Sequence, residues 1–83
     1  MHEDEPFIRK NIPALLLARD VKTKTDAIQG QWQLHEDEIN YIHPMPSNIE
    51  FAIVLVNGSS CLRVSAKINR QTARLSNIEA EEV

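Results

Sequence analysis

The clearest pattern of apolar and polar positions in the chain lies between residues 49 and 68. Apolar residues fill the odd positions from 49 to 55 and most of the even positions between them, which indicates a strand buried on both faces. Residues 57 and 58 are Asn-Gly, a dipeptide that suits the two central positions of a type I′ turn. Over residues 62–68, apolar residues then alternate with Arg63, Ser65 and Lys67. The pattern predicts a β-hairpin over residues 49–68.

The segment after this hairpin fits two structures. As one helix over residues 60–80 it would place its apolar side chains on one stripe. Its cations would form a second stripe at steps of four, three and four: Arg63, Lys67, Arg70 and Arg74. Ser, Asn and β-branched residues are dense there and lower the helix propensity of so long a segment. We therefore expect the strand to end near Ile68 and a helix capped by Asn69 to follow over residues 70–81.

The first half of the chain has weaker signals. Asn11 and Pro13 are typical of a helix start, and a short helix could follow over residues 14–22. A strand fits that run nearly as well, because its five apolar residues show no clear period. Residues 31–34 and 39–42 are predicted to be short strands joined by an acidic turn. A loop with two prolines then leads to the hairpin.

Together these elements predict an α+β fold. We expect a small, mainly antiparallel sheet of about four strands, with the central hairpin at 49–68 and one or two helices on one face. The alternative is a small all-β barrel, against which the scarcity of glycine weighs. The 83 residues form a single domain, in which residues 1–6 and 80–83 are expected to be disordered. Ile, Leu, Val and Ala fill the core, with Trp32 as its largest anchor.

Charge is distributed in alternating blocks. The formal net charge is −3. Residues 9–24 carry +4, from five basic residues against Asp20, residues 26–50 carry −5, and residues 63–74 carry +4. The blocks could lie beside each other and cancel, or the two basic blocks could merge into one positive face.

The second basic block supplies the best candidates for a binding surface. Arg63, Lys67, Arg70 and Arg74 could contact a partner protein or the phosphates of a nucleic acid. No aromatic residue interleaves with these cations, so single-stranded bases would lack a stacking platform. The plainer interpretation is a solvated face, or a partner for the acidic blocks of the same chain.

Metal and catalytic chemistry have little support. His35, Glu36 and Asp37 are weak metal candidates, because imidazole and carboxylate bind divalent metals, but neighbouring residues point in different directions. His35, His43 and Cys61 are the only candidates for a nucleophile and its base, and their spacing does not show that they meet. Glycine-rich phosphate loops, His-Glu-x-x-His and Cys-x-x-Cys do not occur in the sequence. We expect no metal, no cofactor and no catalytic residue.

The location of the protein is predicted from its ends and its cysteine. The first residues are acidic where a secretory signal is basic, and the longest apolar runs are far shorter than a membrane span. One cysteine cannot form an internal disulfide, which suits a reducing compartment. We expect a cytoplasmic protein without membrane contact.

The functional prediction follows from the strand over residues 51–56. Because it is apolar on both faces, it needs cover from two sides, and a small fold supplies little. We expect a non-enzymatic protein-interaction module of the accessory, adaptor or inhibitor type, of a kind that suits a phage or mobile element. Its partner would be another protein or a second copy in a homodimer. One alternative is nucleic-acid binding through residues 9–24 and 63–74, and another is a small metal- or cysteine-dependent enzyme.

Overall fold

The computed structural model describes residues 2–83. Two helices, α1 (Glu5–Leu17) and α2 (Arg19–Asp26), come first in the chain. Five strands follow: β1 (Gln33–Leu34), β2 (Tyr41–Pro44), β3 (Asn48–Asn57), β4 (Ser60–Asn69) and β5 (Leu75–Glu82). All five strands belong to one antiparallel sheet. The predicted α+β fold class is confirmed, and the sheet is open, so the barrel alternative is not needed.

The sheet is a meander whose first strand is interrupted. Both β1 and β2 pair with the edge of β3 that faces away from β4, with Leu34 opposite Leu55 and Tyr41 opposite Ala52. Between them the chain makes a single turn of 3-10 helix over His35–Asp37. The two short strands flanking the acidic turn therefore exist, and they line up end to end along one partner.

The central hairpin is confirmed, with a shifted turn. Ten residues of β3 pair with ten of β4, and Asn57 lies opposite Ser60 in the last pair. The central turn positions are thus Gly58 and Ser59, and Gly58 alone of these two has positive φ (63°). This is the pattern of a type II′ turn, so the predicted type I′ turn centred on Asn57 and Gly58 is wrong. The strand register explains the shift of the turn by one residue, because Asn57 pairs with Ser60 and so belongs to β3.

The Asn57 side chain helps to hold the connection between α2 and β1. Its Nδ2 donates to the carbonyl of Gln29 at 3.1 Å. Gly30 follows with a φ of +120°, and a Cβ on it would lie 2.6 Å from Asn57 Oδ1. Close approach and backbone conformation both require glycine at this position.

The predicted helix over residues 70–81 is wrong, since this segment forms a turn and β5. Asn69 Oδ1 accepts hydrogen bonds from the backbone N–H groups of Gln71 and Thr72, both at 2.9 Å. It caps a turn in the way it would cap a helix. The chain then reverses, and the Asn69 N–H donates to the Arg74 carbonyl. Pairing with β4 overrides the local helical pattern because it satisfies a whole strand edge and partly buries the inner apolar side chains of β5.

A bulge near the start of β5 preserves the inward direction of its apolar residues. Ser65 lies opposite Glu79 and Lys67 opposite Ser76, so the two residues 77 and 78 stand opposite one residue of β4. Asn77 takes positive φ (51°), as the first residue of such a bulge often does.

The N-terminal helix starts earlier than predicted. Pro6 lies in its first turn and Pro13 lies inside it, so the helix does not begin at Pro13. Ala18 is extended, with φ −63° and ψ 140°, and separates α1 from α2. Of the segments predicted to be disordered, Met1 lies outside the described residues. The structure places residues 5 and 6 in α1 and residues 80–82 in β5.

Both helices pack on one face of the sheet. Their buried side chains, Ile8, Leu15 and Val21, join one apolar cluster with the inward residues of β3 and β4. Phe51 is the largest fully buried side chain. Trp32 lies only partly buried against this cluster, and its Nε1–H donates to the Thr25 carbonyl at 3.0 Å. The central core anchor is therefore Phe51, not Trp32.

Candidate functional site

The face of the sheet away from the helices is the candidate functional site, and we call it the open face. It is formed by even residues 50–56 of β3, odd residues 61–67 of β4, and their neighbours on β2 and β5. Successive side chains of a strand point to opposite faces, and the other residues of these strands lie under the helices. Four cross-strand pairs form its centre: Glu50–Lys67, Ala52–Ser65, Val54–Arg63 and Val56–Cys61.

The open face has a shallow depression of about 390 Å³ near its centre. Two small side chains, Ala52 and Ser65, lie opposite each other at its floor. Longer side chains surround them: Tyr41, Glu50, Arg63, Lys67 and Glu79. A short residue in the middle of each central strand, with long residues on every side, produces this concave shape. Toward the Gly58 turn, the surface continues over the partly exposed Val54, Val56 and Cys61.

Charges of opposite sign alternate on the open face. Glu50 lies opposite Lys67, and Arg63 lies opposite Glu81. Among the described residues, none of these four has an ion-pair partner within 4.0 Å. These four charged groups therefore form no ion pairs within the described part of the chain. They lie on neighbouring strands, where their opposite charges partly cancel in the local electrostatic field.

Tyr41, which lines the depression, forms an aromatic pair with His43. Tyr41 and His43 stand two residues apart on β2, so both point to the open face. Their rings are stacked, with centroids 6.4 Å apart and planes 17° apart. Tyr41 is 49% exposed, so it presents a large rigid contact area to anything that binds there.

The structure divides the four basic site candidates into two pairs. Arg63 and Lys67 lie on the open face, whereas Arg70 and Arg74 lie in the turn between β4 and β5. Arg74 is exposed. The Arg70 guanidinium donates to both carboxylate oxygens of Asp4 at 2.8 and 3.2 Å, and to the Met45 carbonyl at 2.8 Å. Arg70 thus ties the start of α1 to two loops, and a charge reversal there would break this link.

The two basic blocks do not form one surface. Residues 9–24 belong to the helices, while Arg63 and Lys67 point away from the helices. Arg9 donates to Glu5 at 3.1 Å and to Asp37 at 2.9 Å. Of the two arrangements that the sequence left open, neighbouring blocks of opposite sign are the one found.

The ion pair of Asp4 with Arg70 makes stability depend on pH. Hydrogen bonding to the Arg70 guanidinium lowers the pKa of Asp4 below its usual value of 3.8. The unfolded chain, with the ordinary pKa, then binds a proton more readily than the folded chain. The stabilisation is therefore complete above about pH 3.8 and is lost as pH falls through the lower pKa of the folded state.

We expect Asp4→Asn to lower the stability of the domain at pH 7, and the difference from the unchanged chain to shrink toward about pH 3. Urea denaturation at several pH values measures it. Asp26→Asn is the control, because Asp26 is 63% exposed in its ion pair with Lys22 and its loss should matter little. An Asp4→Asn effect that stays constant down to about pH 3 would contradict this account.

The three weak metal candidates do not converge. His35, Glu36 and Asp37 are exposed in the 3-10 turn, and the Asp37 carboxylate accepts a hydrogen bond from Arg9. His35 Nε2 lies 3.8 Å from Glu36 Oε1. Within residues 2–83, no group of three His, Cys, Asp or Glu side chains is arranged to hold a metal ion.

The candidates for a nucleophile and base also stay apart. His43 lies opposite Glu50, and Cys61 lies opposite Val56. Six residues along β3 separate these positions, about 20 Å at the usual rise of a strand. His35 comes directly after β1. In the sheet, β3 lies between β1 and β4, the strand that carries Cys61. These three residues are therefore not arranged as a nucleophile and its base.

Comparison of the chain with protein-family models, with curated proteins and with solved structures finds no match in any of the three. In the described part of the chain, neither helix has the length and apolar character needed to cross a membrane. The open face is therefore interpreted from its own geometry.

Sequence reasoning did not find the depression or its rim. Tyr41, Glu50 and Glu79 come from three different strands, and only the register places them around Ala52. The available signal was the small residue at position 52 in a run of large ones. Glu79 could not be found in this way, because its segment was predicted to be helical.

Proposed function

We propose that the protein is a non-enzymatic interaction module that binds protein chains through the open face. The observation that carries this proposal is the uneven cover of β3. Its inner residues, such as Phe51 and Ile53, are buried under the helices, whereas Val54 and Val56 remain partly exposed on the opposite face. A strand that is apolar on both faces and covered on one supports a second layer from a partner.

The composition of the open face favours binding to another protein. Partly exposed apolar residues beside charges of both signs, with an exposed tyrosine, are common features of protein interfaces. Tyr41 is placed to act as an anchor beside the depression. Glu50, Glu79 and Glu81 lie among the cations of this face, and their charges would repel a phosphate backbone. We therefore rank nucleic-acid binding below protein binding and make it an outcome of the test.

The proposal includes the cytoplasm as the compartment. Cys61 is a free, partly exposed cysteine, and a protein interface containing it would be stable where thiols stay reduced.

The test compares two single substitutions at partly or fully exposed apolar residues on opposite sides of the domain. Val54→Lys places a positive charge on the open face directly opposite Arg63, and Leu17→Lys places one on α1, where Leu17 is 73% exposed. We expect Val54→Lys to abolish capture of the partner from a source-cell lysate, because a charge with a like charge as its cross-strand neighbour would be buried in the interface. Leu17→Lys should capture it like the unchanged chain. Circular dichroism and thermal unfolding confirm that both variants fold.

Each outcome of this test is informative. Equal capture by both variants would place the interface away from the open face. Recovery of nucleic acid, with co-purifying proteins lost after nuclease treatment, would favour the nucleic-acid alternative.

A further inference from the structure

We propose that the open face binds a second copy of this chain, packed face to face about a two-fold axis. The inference rests on the proposed function and names its partner. The axis runs parallel to the strands, midway between β3 and β4. Two sheets packed in this way form a sandwich about 10 Å thick, with strand directions within about 30° of each other.

The register of β3 and β4 makes the open face complementary to itself. Rotation about this axis places β3 of one copy over β4 of the other and keeps each cross-strand pair at its own level. Glu50 of one copy then faces Lys67 of the second copy, and Val56 faces Cys61. Ala52 faces Ser65, so the two depressions meet at the centre of the interface. An axis perpendicular to the strands would instead place Glu50 over Val56, leaving charges against apolar residues.

The charged groups of the two copies would form a closed cluster. Glu50 and Lys67 are already neighbours across two strands of one chain, and they lack ion-pair partners among the described residues. In the dimer, each Glu50 has one Lys67 beside it and another facing it. Two carboxylates and two ammonium groups thus alternate. Each charged group that loses its bound water on dimerisation therefore gains two neighbours of opposite charge.

The remaining positions of the face agree with this arrangement. Tyr41 on β2 faces the level of Glu79 on β5 of the second copy, which gives the phenol hydroxyl a carboxylate acceptor. Arg63 faces Val54, over which its aliphatic stem can lie. The rotation brings the two Arg63 guanidinium groups to one level, where Glu81 beside each of them balances its charge. Pairing of two copies through their β5 edges would instead bring together the acidic residues Glu79, Glu81 and Glu82, and like charges across strands are unfavourable.

The open face is large enough for this interface. The five strands hold 34 residues in all, and each residue covers about 3.3 Å along its strand and about 4.8 Å across the sheet. The flat outline is therefore about 540 Å² per copy before the relief of the side chains is added. Two copies together present about 1,100 Å², above the roughly 1,000 Å² expected of a specific interface.

A charge-swap experiment on the full chain tests the inference. Glu50→Lys makes the cluster wholly positive, and Lys67→Glu makes it wholly negative. Each variant alone should dimerise at least roughly a hundredfold more weakly than the unchanged chain, because like charges then face each other twice. Mixed in equal amounts, the two variants should form a heterodimer, since Lys at position 50 then faces Glu at position 67. Light scattering coupled to size-exclusion chromatography measures all four samples.

The thiol of Cys61 reports the geometry independently. It is the one cysteine of the sequence and faces the partner's Val56 level in the dimer. Labelling of this thiol should be slower in the dimeric chain than in either charge variant, whose folding circular dichroism verifies. If the unchanged chain dimerises but its thiol is labelled as fast as the thiol of the charge variants, the dimer interface lies elsewhere and the inference is overturned.

The outcomes separate this inference from the proposed function. A monomeric unchanged chain at about 1 mM, a concentration at which even weak dimers form, would overturn the homodimer. The interaction module would still stand if Val54→Lys abolished capture of a different protein. A dimer unaffected by either charge variant, or a mixture that stays monomeric, would also overturn the face-to-face arrangement.

Discussion

Replacing Phe51 with alanine is expected to lower the free energy of unfolding by about 3–5 kcal/mol. Phe51 is 1% exposed and is the largest fully buried side chain of the domain. Its loss would leave a cavity between the helices and the sheet that the surrounding side chains cannot fill completely. A domain of this length has a total stability of only about 4–12 kcal/mol. The substitution therefore removes a large share of it, and urea denaturation measures the loss.

Tyr41→Ala is the matched control for this prediction. Tyr41 lies on the neighbouring strand with its ring on the open face, and it is 49% exposed. Its replacement should cost about 1 kcal/mol or less, yet it should weaken binding to the open face. Equal destabilisation by the two substitutions would show that the core does not lie on the helix side of the sheet.

The second large effect is expected in the leucine run of α1. Leu15→Ala should lower the free energy of unfolding by about 2–5 kcal/mol, because Leu15 is fully buried against the sheet. Leu17→Ala, two residues later in the same helix, should change it by about 0.5 kcal/mol or less, since Leu17 is 73% exposed. Guanidinium denaturation of the two variants compares chemically identical changes.

The contrast between these two leucines tests the secondary structure of the run as well as its burial. In a strand, Leu15 and Leu17 would point to the same face and their substitutions would have similar effects. In a helix, they lie about 200° apart around the axis. Similar losses for both would therefore contradict α1 as described.

The hairpin shows how far local pattern reaches. Alternation over residues 49–68 and the Asn-Gly dipeptide predicted two strands and a tight turn, and β3 and β4 are the result. The turn centre moved by one residue, because full pairing of the strands includes Asn57. Local sequence indicates that a turn forms, whereas register decides which residues occupy its centre.

The C-terminal segment shows where local pattern fails. Residues 70–81 have apolar spacing compatible with a helix, and Asn69 has the side chain of a cap. In the fold, Asn69 caps a turn and β5 pairs with β4. Only the presence of an unpaired β4 edge makes the strand preferable, and that edge exists only once the hairpin has formed.

The candidate site was partly visible in the sequence. Arg63 and Lys67 were identified as binding candidates, and both lie on the open face. Arg70 and Arg74 were grouped with them through the helical spacing. The structure instead places them in a turn, where Arg70 binds Asp4, 66 residues away in the chain. No local pattern can signal a contact over such a separation.

The sequence by itself determined the α+β class, the central hairpin and the apolar character of both faces of β3, because these follow from side-chain alternation within single segments. Tertiary structure alone decided which face of β3 the helices cover, that residues 75–82 form a strand, and that small residues on two strands meet to form a depression. The physical reason is that pairing register and layer packing depend on contacts between distant segments, and each such contact becomes favourable only when its partners are already in place.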